Sequence, residues 1–254
     1  MRTNTQRFRH GAVALALSMT LGSALAETEL RIESPTRQAQ LIELYTSEGC
    51  SSCPPADRWL SGLKDEPRLW QQIVPVAFHV DYWNYIGWPD RFSSSAYSDR
   101  QRRYAASGGV STVYTPGFVV NGEEWRGWFR GRMLTNNAEV SAGKLSATGS
   151  ADALQVRFEP ANGNSVPLQL HVARLGFDLH TDVGAGENSG RKLSHDFVVL
   201  GHVEHALKRE GATHTALVKL PPARESAPRQ GVALWVTRKG ELRPLQAAGG
   251  WLTP

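Results

Sequence analysis

The sequence predicts an α/β fold in its first half and a β-rich antiparallel, sandwich-like module in its second. Three observations predict this. A strand–helix–strand order spans residues 41–80, an Asn-Gly turn joins two extended runs near residue 121, and short alternating apolar runs recur beyond residue 150. The bulk composition agrees. With 254 residues, 41% of them hydrophobic and 20% charged, the chain excludes disorder and coiled coil as its main state.

The first 26 residues read as an address. Arg2, Arg7 and Arg9 precede the apolar run AVALALSMTLGSALA, no acid occurs before Glu27, and Ala24-Leu25-Ala26 is a small-x-small cleavage site. This is the pattern of a secretory signal peptide cleaved after Ala26, and it predicts a periplasmic or secreted protein. Its removal leaves 25 basic against 24 acidic residues, a net charge near +1. A nucleic-acid binder carries a strong basic bias, so nucleic acid is not an expected partner. No later stretch is apolar enough for a stable membrane span in the mature form.

The two cysteines, Cys50 and Cys53, form Cys-Ser-Ser-Cys. In an oxidising compartment they are expected to form a disulfide. Closing so short a loop stabilises a fold by only about 2 kcal/mol, so the pair reads as redox chemistry rather than as a staple. A structural zinc site needs four ligands, and no second Cys pair exists. Leu41–Tyr45 is a strand candidate, Thr46–Gly49 turns the chain, and Pro54–Leu60 opens a helix. Cys50 therefore lies near a helix N-terminus, where the dipole and free N–H groups favour a thiolate. Glu48, two residues away, opposes it.

Residues 73–80 form a second apolar strand, ending in His79 and followed by Asp81. Strand ends in α/β sheets gather ligands, which puts both residues near the dithiol. His79 reads first as a hydrogen-bonded strand-end residue, with proton relay or metal ligation as alternatives. Ser93–Ser95 cap a second helix running to about Ala106. Thr115-Pro116 leads into a strand closed by Asn121-Gly122, and residues from about 129 to 140 are expected to form a last helix. Tyr82, Trp83, Tyr85 and Trp88 read equally as a substrate wall or as packing between the halves.

This order, from about residue 38 to 140, resembles the thioredoxin-like fold. The resemblance implies a cis bond at Thr115–Pro116 facing the dithiol, with both residues contacting substrate. A closer resemblance covers nearly the whole mature chain. Glu43–Asp57 (ELYTSEGCSSCPPAD), His79–Trp83, Gly87-Trp88, Tyr114–Pro116, Val119–Gly122 and Gly186–Arg191 are similar to a secreted bacterial family catalogued as domain of unknown function 1223. That family implies a thioredoxin-like domain with a β-rich extension, and supplies no substrate.

Ser141–Ser150 is small and polar and marks a boundary, so the β-rich domain is expected over residues 151–254. Leu154/Val156/Phe158, Leu168/Leu170/Val172, Ala216/Val218/Leu220 and Val232/Leu234/Val236 alternate as strands do. The Gly-rich segment from Asp178 to Lys192 reads as a solvated turn, with a binding loop as the alternative. His202 and His205 point to opposite faces of a strand, which argues against a shared metal, and no metal site is expected.

The leading functional expectation is an exported thiol–disulfide oxidoreductase. Cys50 is its nucleophile, Cys53 resolves the mixed disulfide, and Thr115 and Pro116 shape the groove. Its substrate would be a protein or small-molecule thiol or disulfide, and it needs no organic cofactor. A copper(I)-delivery protein using both thiolates and His79 is one alternative. A redox-inert binding module with a structural disulfide is the other.

Overall fold

The apolar run at residues 73–79 is buried at every position, so it needs a partner on both edges and cover on both faces. In the computed structural model, which describes residues 1, 29–131, 134, 140–163 and 166–252, that cover comes from both halves of the chain. The first half carries β1 (Leu30–Glu33), β2 (Gln40–Thr46), α1 (Pro54–Ser61), β3 (Ile73–His79), α2 (Ser95–Ala106), β4 (Gly117–Val120) and β5 (Glu123–Glu124). The second carries β6 (Gly143–Gly149), β7 (Leu154–Pro160), β8 (Leu168–Phe177), β9 (Leu179–Asp182), β10 (Lys192–His195), β11 (Val198–Ala206), β12 (Lys208–Glu210), β13 (Thr213–Val218), β14 (Arg229–Arg238) and β15 (Pro244–Leu252).

Eight strands form one mixed sheet in the order β15-β14-β8-β11-β3-β2-β4-β5. Only β11–β3 and β2–β3 are parallel. The seam between the halves is narrow: Val198 pairs with Ala77, and the Ala77 N–H donates to the Phe197 carbonyl at 2.8 Å. A five-stranded antiparallel sheet, β1-β6-β7-β13-β12, packs on one face of the β8–β14–β15 end. There Leu145, Val156 and Phe158 meet Leu170, Val172, Leu234 and Val236. The residues between them on β14, Ala233 and Trp235, turn to the other face and join the core of the first half. A third, two-stranded sheet pairs β9 with β10.

The expected thioredoxin-like α/β arrangement, followed by a sandwich-like module of its own, is overturned. Strands dominate the described residues, and the two α-helices span 8 and 12 residues. The strands of the first half do not build their own helix-flanked sheet. β2 to β5 continue an antiparallel sheet of the second half, and β1 joins the five-stranded sheet. The physical reason is β3: a strand buried on every side takes whatever edge is nearest, and β11 supplies it.

Individual elements follow the sequence. The Asn121-Gly122 turn joins β4 to β5, and both residues have positive φ, as such a hairpin requires. Three of the four alternating runs lie in β7, β8 and β14, and the third starts in β13 but its Leu220 falls beyond that strand's end at Val218. The expected signal peptide falls almost wholly on residues 2–28, outside the described residues, as does most of the expected helix near 129–140. Among the described residues no helix is long and apolar enough to cross a membrane.

Candidate functional site

β2 ends at Thr46, and the chain turns through Ser47 and Glu48 to the cysteines. The Gly49 N–H donates to Ser47 Oγ at 3.1 Å and the Cys50 N–H to the Ser47 carbonyl at 3.2 Å. Gly49 suits this close approach, because a Cβ would stand 3.0 Å from Trp83 Cβ and the indole would have to shift. Cys50 and Cys53 are disulfide-bonded with Cα atoms 5.4 Å apart. Cys53 is the N-cap residue of α1, and Pro54 and Pro55 follow it. Those prolines lack N–H groups, so the free donors expected to favour a Cys50 thiolate are missing from the first two helical positions. What remains is the helix dipole and the Ser52 hydroxyl, whose Oγ lies 3.3 Å from Cys50 Sγ. Cys50 is 1% exposed and Cys53 0%.

The Thr115–Pro116 bond is cis. Gly117 pairs with Tyr45, so Pro116 stands alongside the end of β2 where the turn to Cys50 begins. Thr115 Oγ1 accepts a 2.7 Å hydrogen bond from Trp83 Nε1, and Trp83 packs on Gly49. Thr115 thus reaches the turn before Cys50 through an indole. Of the other aromatics, Trp88 Nε1 donates to Glu48 Oε2 at 2.8 Å, Tyr82 donates to Gln101, and Tyr85 is exposed.

Five titratable side chains lie buried around this turn: Glu48, Asp57 from α1, His79 from the end of β3, Asp90, and His195 from β10. His79 Nδ1 and Asp90 Oδ2 are 2.7 Å apart. Asp90 also accepts the backbone N–H groups of Glu48 and Phe92, each at 2.9 Å. His195 Nε2 lies 3.5 Å from Glu48 Oε1, and its Nδ1 3.9 Å from Asp57 Oδ2. The two imidazole rings meet edge to face at 5.0 Å.

Burial dominates the Asp57 carboxyl and raises its pKa against the pull of His195 and His79. Burial opposes a charged His79 too, yet Asp90, Asp57 and Glu48 outweigh it and raise its pKa. Asp90 is likewise penalised by burial, but His79 and the two backbone donors hold it below the usual carboxylate range. At Glu48, burial and the Asp90 charge are outweighed by His195, Thr181 and Trp88, and its pKa falls. Glu48 Oε1, His79 Nε2, both His195 ring nitrogens, Thr46 Oγ1 and Thr181 Oγ1 have no hydrogen-bond partner in the protein.

The segment read as a solvated turn docks on the backbone of the turn that bears Cys50 instead. Asn188 is fully buried, and its Nδ2 donates to the carbonyls of Glu48 at 2.8 Å and Cys50 at 3.0 Å. Arg191 Nη1 donates to Asn188 Oδ1 at 2.7 Å, and the Ser51 N–H donates to Glu187 Oε2 at 3.1 Å. Gly186 holds φ +75°, and a Cβ there would stand 3.1 Å from Ile86 Cδ1. Asn188 and Glu187 lie within the Gly-Glu-Asn-Ser-Gly-Arg segment of the family resemblance, so the signal for them was present. Asp57 likewise closes the Glu43–Asp57 segment of that resemblance, whereas His195 lies outside every such segment.

Asp81 stays outside the cluster and accepts from Ser98 Oγ at 2.5 Å. His202 meets His171 of the neighbouring strand, with Nδ1 of His171 3.3 Å from Nε2 of His202. With Glu204 these form the one group among the described residues whose ligand atoms approach closely enough for a metal, all within 4.8 Å. The two rings are parallel within 1° and their nitrogens face each other, as in an N–H···N hydrogen bond, while both rings stack on Trp235.

The fold and site define a class: a β-rich protein of two large sheets and a two-stranded ribbon, with one Cys-x-x-Cys disulfide at a strand-to-helix junction, underlain by buried acids and imidazoles. The chain belongs to the family described as protein of unknown function (DUF1223), whose model matches residues 41–237. Among solved structures, it is similar to protein AGR_C_4864 from Agrobacterium tumefaciens, with 25% identity and a TM-score of 0.55. That match covers 85% of this chain and 94% of the other. HBP35 of Porphyromonas gingivalis shares the fold at 14% identity and a TM-score of 0.57, over 86% of this chain and 76% of the other. No curated protein matches the sequence.

Proposed function

We propose that this protein is an exported thiol–disulfide exchange protein whose Cys50–Cys53 pair cycles between dithiol and disulfide. The observation that carries the reading is the cluster of five buried titratable groups around the turn that bears Cys50. Such groups are costly to bury, and they gather at functional sites where protons move. A disulfide that takes up two electrons also takes up protons, and Glu48 and Asp57 flank the pair in the chain.

In the oxidising direction for the pair, the Cys50 thiolate attacks a substrate disulfide. One substrate sulfur bonds to Cys50 and the other leaves as a thiolate. The Cys53 thiolate then attacks Cys50 Sγ, which re-forms the Cys50–Cys53 bond and releases the second substrate sulfur as a thiolate. The substrate gains two electrons and the pair loses them. The reverse sequence oxidises a substrate dithiol. Thr115 and Pro116, at the same end of the sheet, are the proposed substrate contacts. Export rests on the basic, apolar and Ala-x-Ala pattern of residues 1–26. An exported chain beginning at Glu27, read by N-terminal sequencing, is the expected outcome.

The test of exchange is the midpoint potential of the pair, measured in graded glutathione or dithiothreitol buffers by thiol alkylation. A reversible midpoint between about −120 and −270 mV is expected. Cys50→Ser should abolish turnover of a model disulfide. The near-complete burial of both cysteines favours a second reading, an inert local crosslink. A midpoint below about −300 mV would establish it.

A further inference from the structure

We infer that the loop from Val183 to Arg191 is a latch over the dithiol, that Asn188 pins it, and that exchange at Cys50 requires the latch to lift. The inference rests on the exchange reading above, but its argument is separate. Cys50 sits at a chain turn, where a residue would ordinarily meet solvent, and Ser51 and Ser52 beside it are exposed. Cys50 itself is 1% exposed. An attacking sulfur must approach along the S–S axis, so a pair covered to this extent reacts only when something moves.

The covering segment is built to move as a unit. It is the tip of the β9–β10 ribbon, closed at its base by reciprocal backbone bonds: the Val183 N–H donates to the Arg191 carbonyl at 2.9 Å and the Gly190 N–H to the Val183 carbonyl at 2.8 Å. A two-stranded ribbon is only marginally stable unless it docks on something else. Here its named polar anchors to the cysteine turn are few. Asn188 Nδ2 bridges the Glu48 and Cys50 carbonyls, and Glu187 accepts the Ser51 N–H. Both N–H bonds of the Asn188 amide and its carbonyl are used, the latter by Arg191. The amide therefore holds one orientation only, and its two donors fall on the two carbonyls that bracket Gly49. No other side chain among the described residues donates to either carbonyl. Asn188 is a positioning residue: it touches the backbone of the nucleophile and not its sulfur.

The test is the rate at which dithiothreitol reduces the native disulfide, followed by quenched alkylation. Dithiothreitol gives up two electrons and two protons and closes its own ring, and the protein pair becomes two thiols. Asn188→Ala should accelerate reduction at least about tenfold at urea concentrations well below unfolding, with the rate insensitive to urea there, as a local opening requires. Arg191→Ala, which frees only the amide carbonyl, should give a smaller rise in the same direction. A rate for Asn188→Ala within twofold of the unaltered chain overturns the latch, and so does a rise that follows urea as steeply as global unfolding. Should Asn188→Ala fail to fold, hydrogen exchange of the unaltered protein decides. Exchange of the Ser51 amide through an opening insensitive to denaturant supports the latch, and exchange through global unfolding alone overturns it. The midpoint measurement is independent: a pair too stable to exchange ends the exchange reading, while the rate comparison still reports the latch.

Discussion

Two clusters of buried charge lie on either side of the end of β2, and they are built on opposite rules. At Glu43 the rule is satisfaction. Its carboxylate accepts Arg100 Nε at 2.7 Å and Nη2 at 3.0 Å, Tyr104 at 2.5 Å and Tyr45 at 2.9 Å. Only Arg100 Nη1 is left over. Five residues later, at Glu48, the rule is incompleteness. Four of the six unpartnered atoms there are ring nitrogens or carboxylate oxygens able to gain or lose a proton. The first cluster ties β2 to α2. The second lies where that strand delivers the cysteines. Burial alone therefore does not separate the two clusters; what separates them is a concentration of unpartnered atoms able to take up or give up a proton.

The comparison can be broken most forcefully at Arg100. Arg100→Met leaves the Glu43 carboxylate buried without its cation, and the expected loss is about 3–5 kcal/mol of folding stability in urea titrations. Arg100→Met with Glu43→Leu should recover much of it, because an apolar pair needs no solvation. A loss below about 1 kcal/mol for the single variant would mean that this cluster is no better built than the other.

The histidine pair sharpens the contrast by pH. Burial, then Arg100 and Arg103, push the His202 pKa down to about 3, and His171 falls well below its ordinary 6.5 for the same reasons, with His202 contributing. The unfolded chain binds protons below its pKa of about 6.5 while the folded pair does not, so folding stability should fall as pH drops from about 6.5 toward 3 and stay level in this respect above it. His202→Gln should flatten that decline, read as the difference in urea midpoint between neutral pH and about pH 4.5. An equally steep decline in the variant would assign it to other groups.

The smallest stability effect is expected where function is proposed. His195→Gln removes a side chain with no hydrogen bond in the protein, so it should cost less than about 1.5 kcal/mol. It should nevertheless change how the dithiol midpoint varies with pH, because Glu48 and Asp57 lose the imidazole that, against burial, pulls their pKa values down. A midpoint profile parallel to that of the unaltered protein would leave His195 a packing residue.

Much of this was legible along the chain and little of it across the chain. Local pattern located α2 at Ser95–Ala106, the turn at Asn121-Gly122 and the strand ending at His79. It also brought His79 to the dithiol, because the end of a strand beside a strand-to-helix turn is a local fact. Pairing between distant strands was not legible. Nothing in Val198–Ala206 announces that it will lie parallel to β3, and that one seam converts the expected α/β arrangement into a mixed sheet. The same blindness set His202 against His205 on its own strand and missed His171, which register rather than sequence spacing brings within reach. Asn188 sat in a segment whose glycines and charges look alike for a solvated turn and for a cover. What distinguishes them is the pair of carbonyls that the amide meets, 140 and 138 residues earlier in the chain.

That separation also sets an order of events in time. A ribosome adding about 5–20 residues per second releases Cys50 on the order of ten seconds before Asn188. Until Asn188 docks, wherever the chain folds, the turn that bears the two sulfurs lacks this anchor. Whatever redox state the pair acquires then is the state over which the rest of the chain closes.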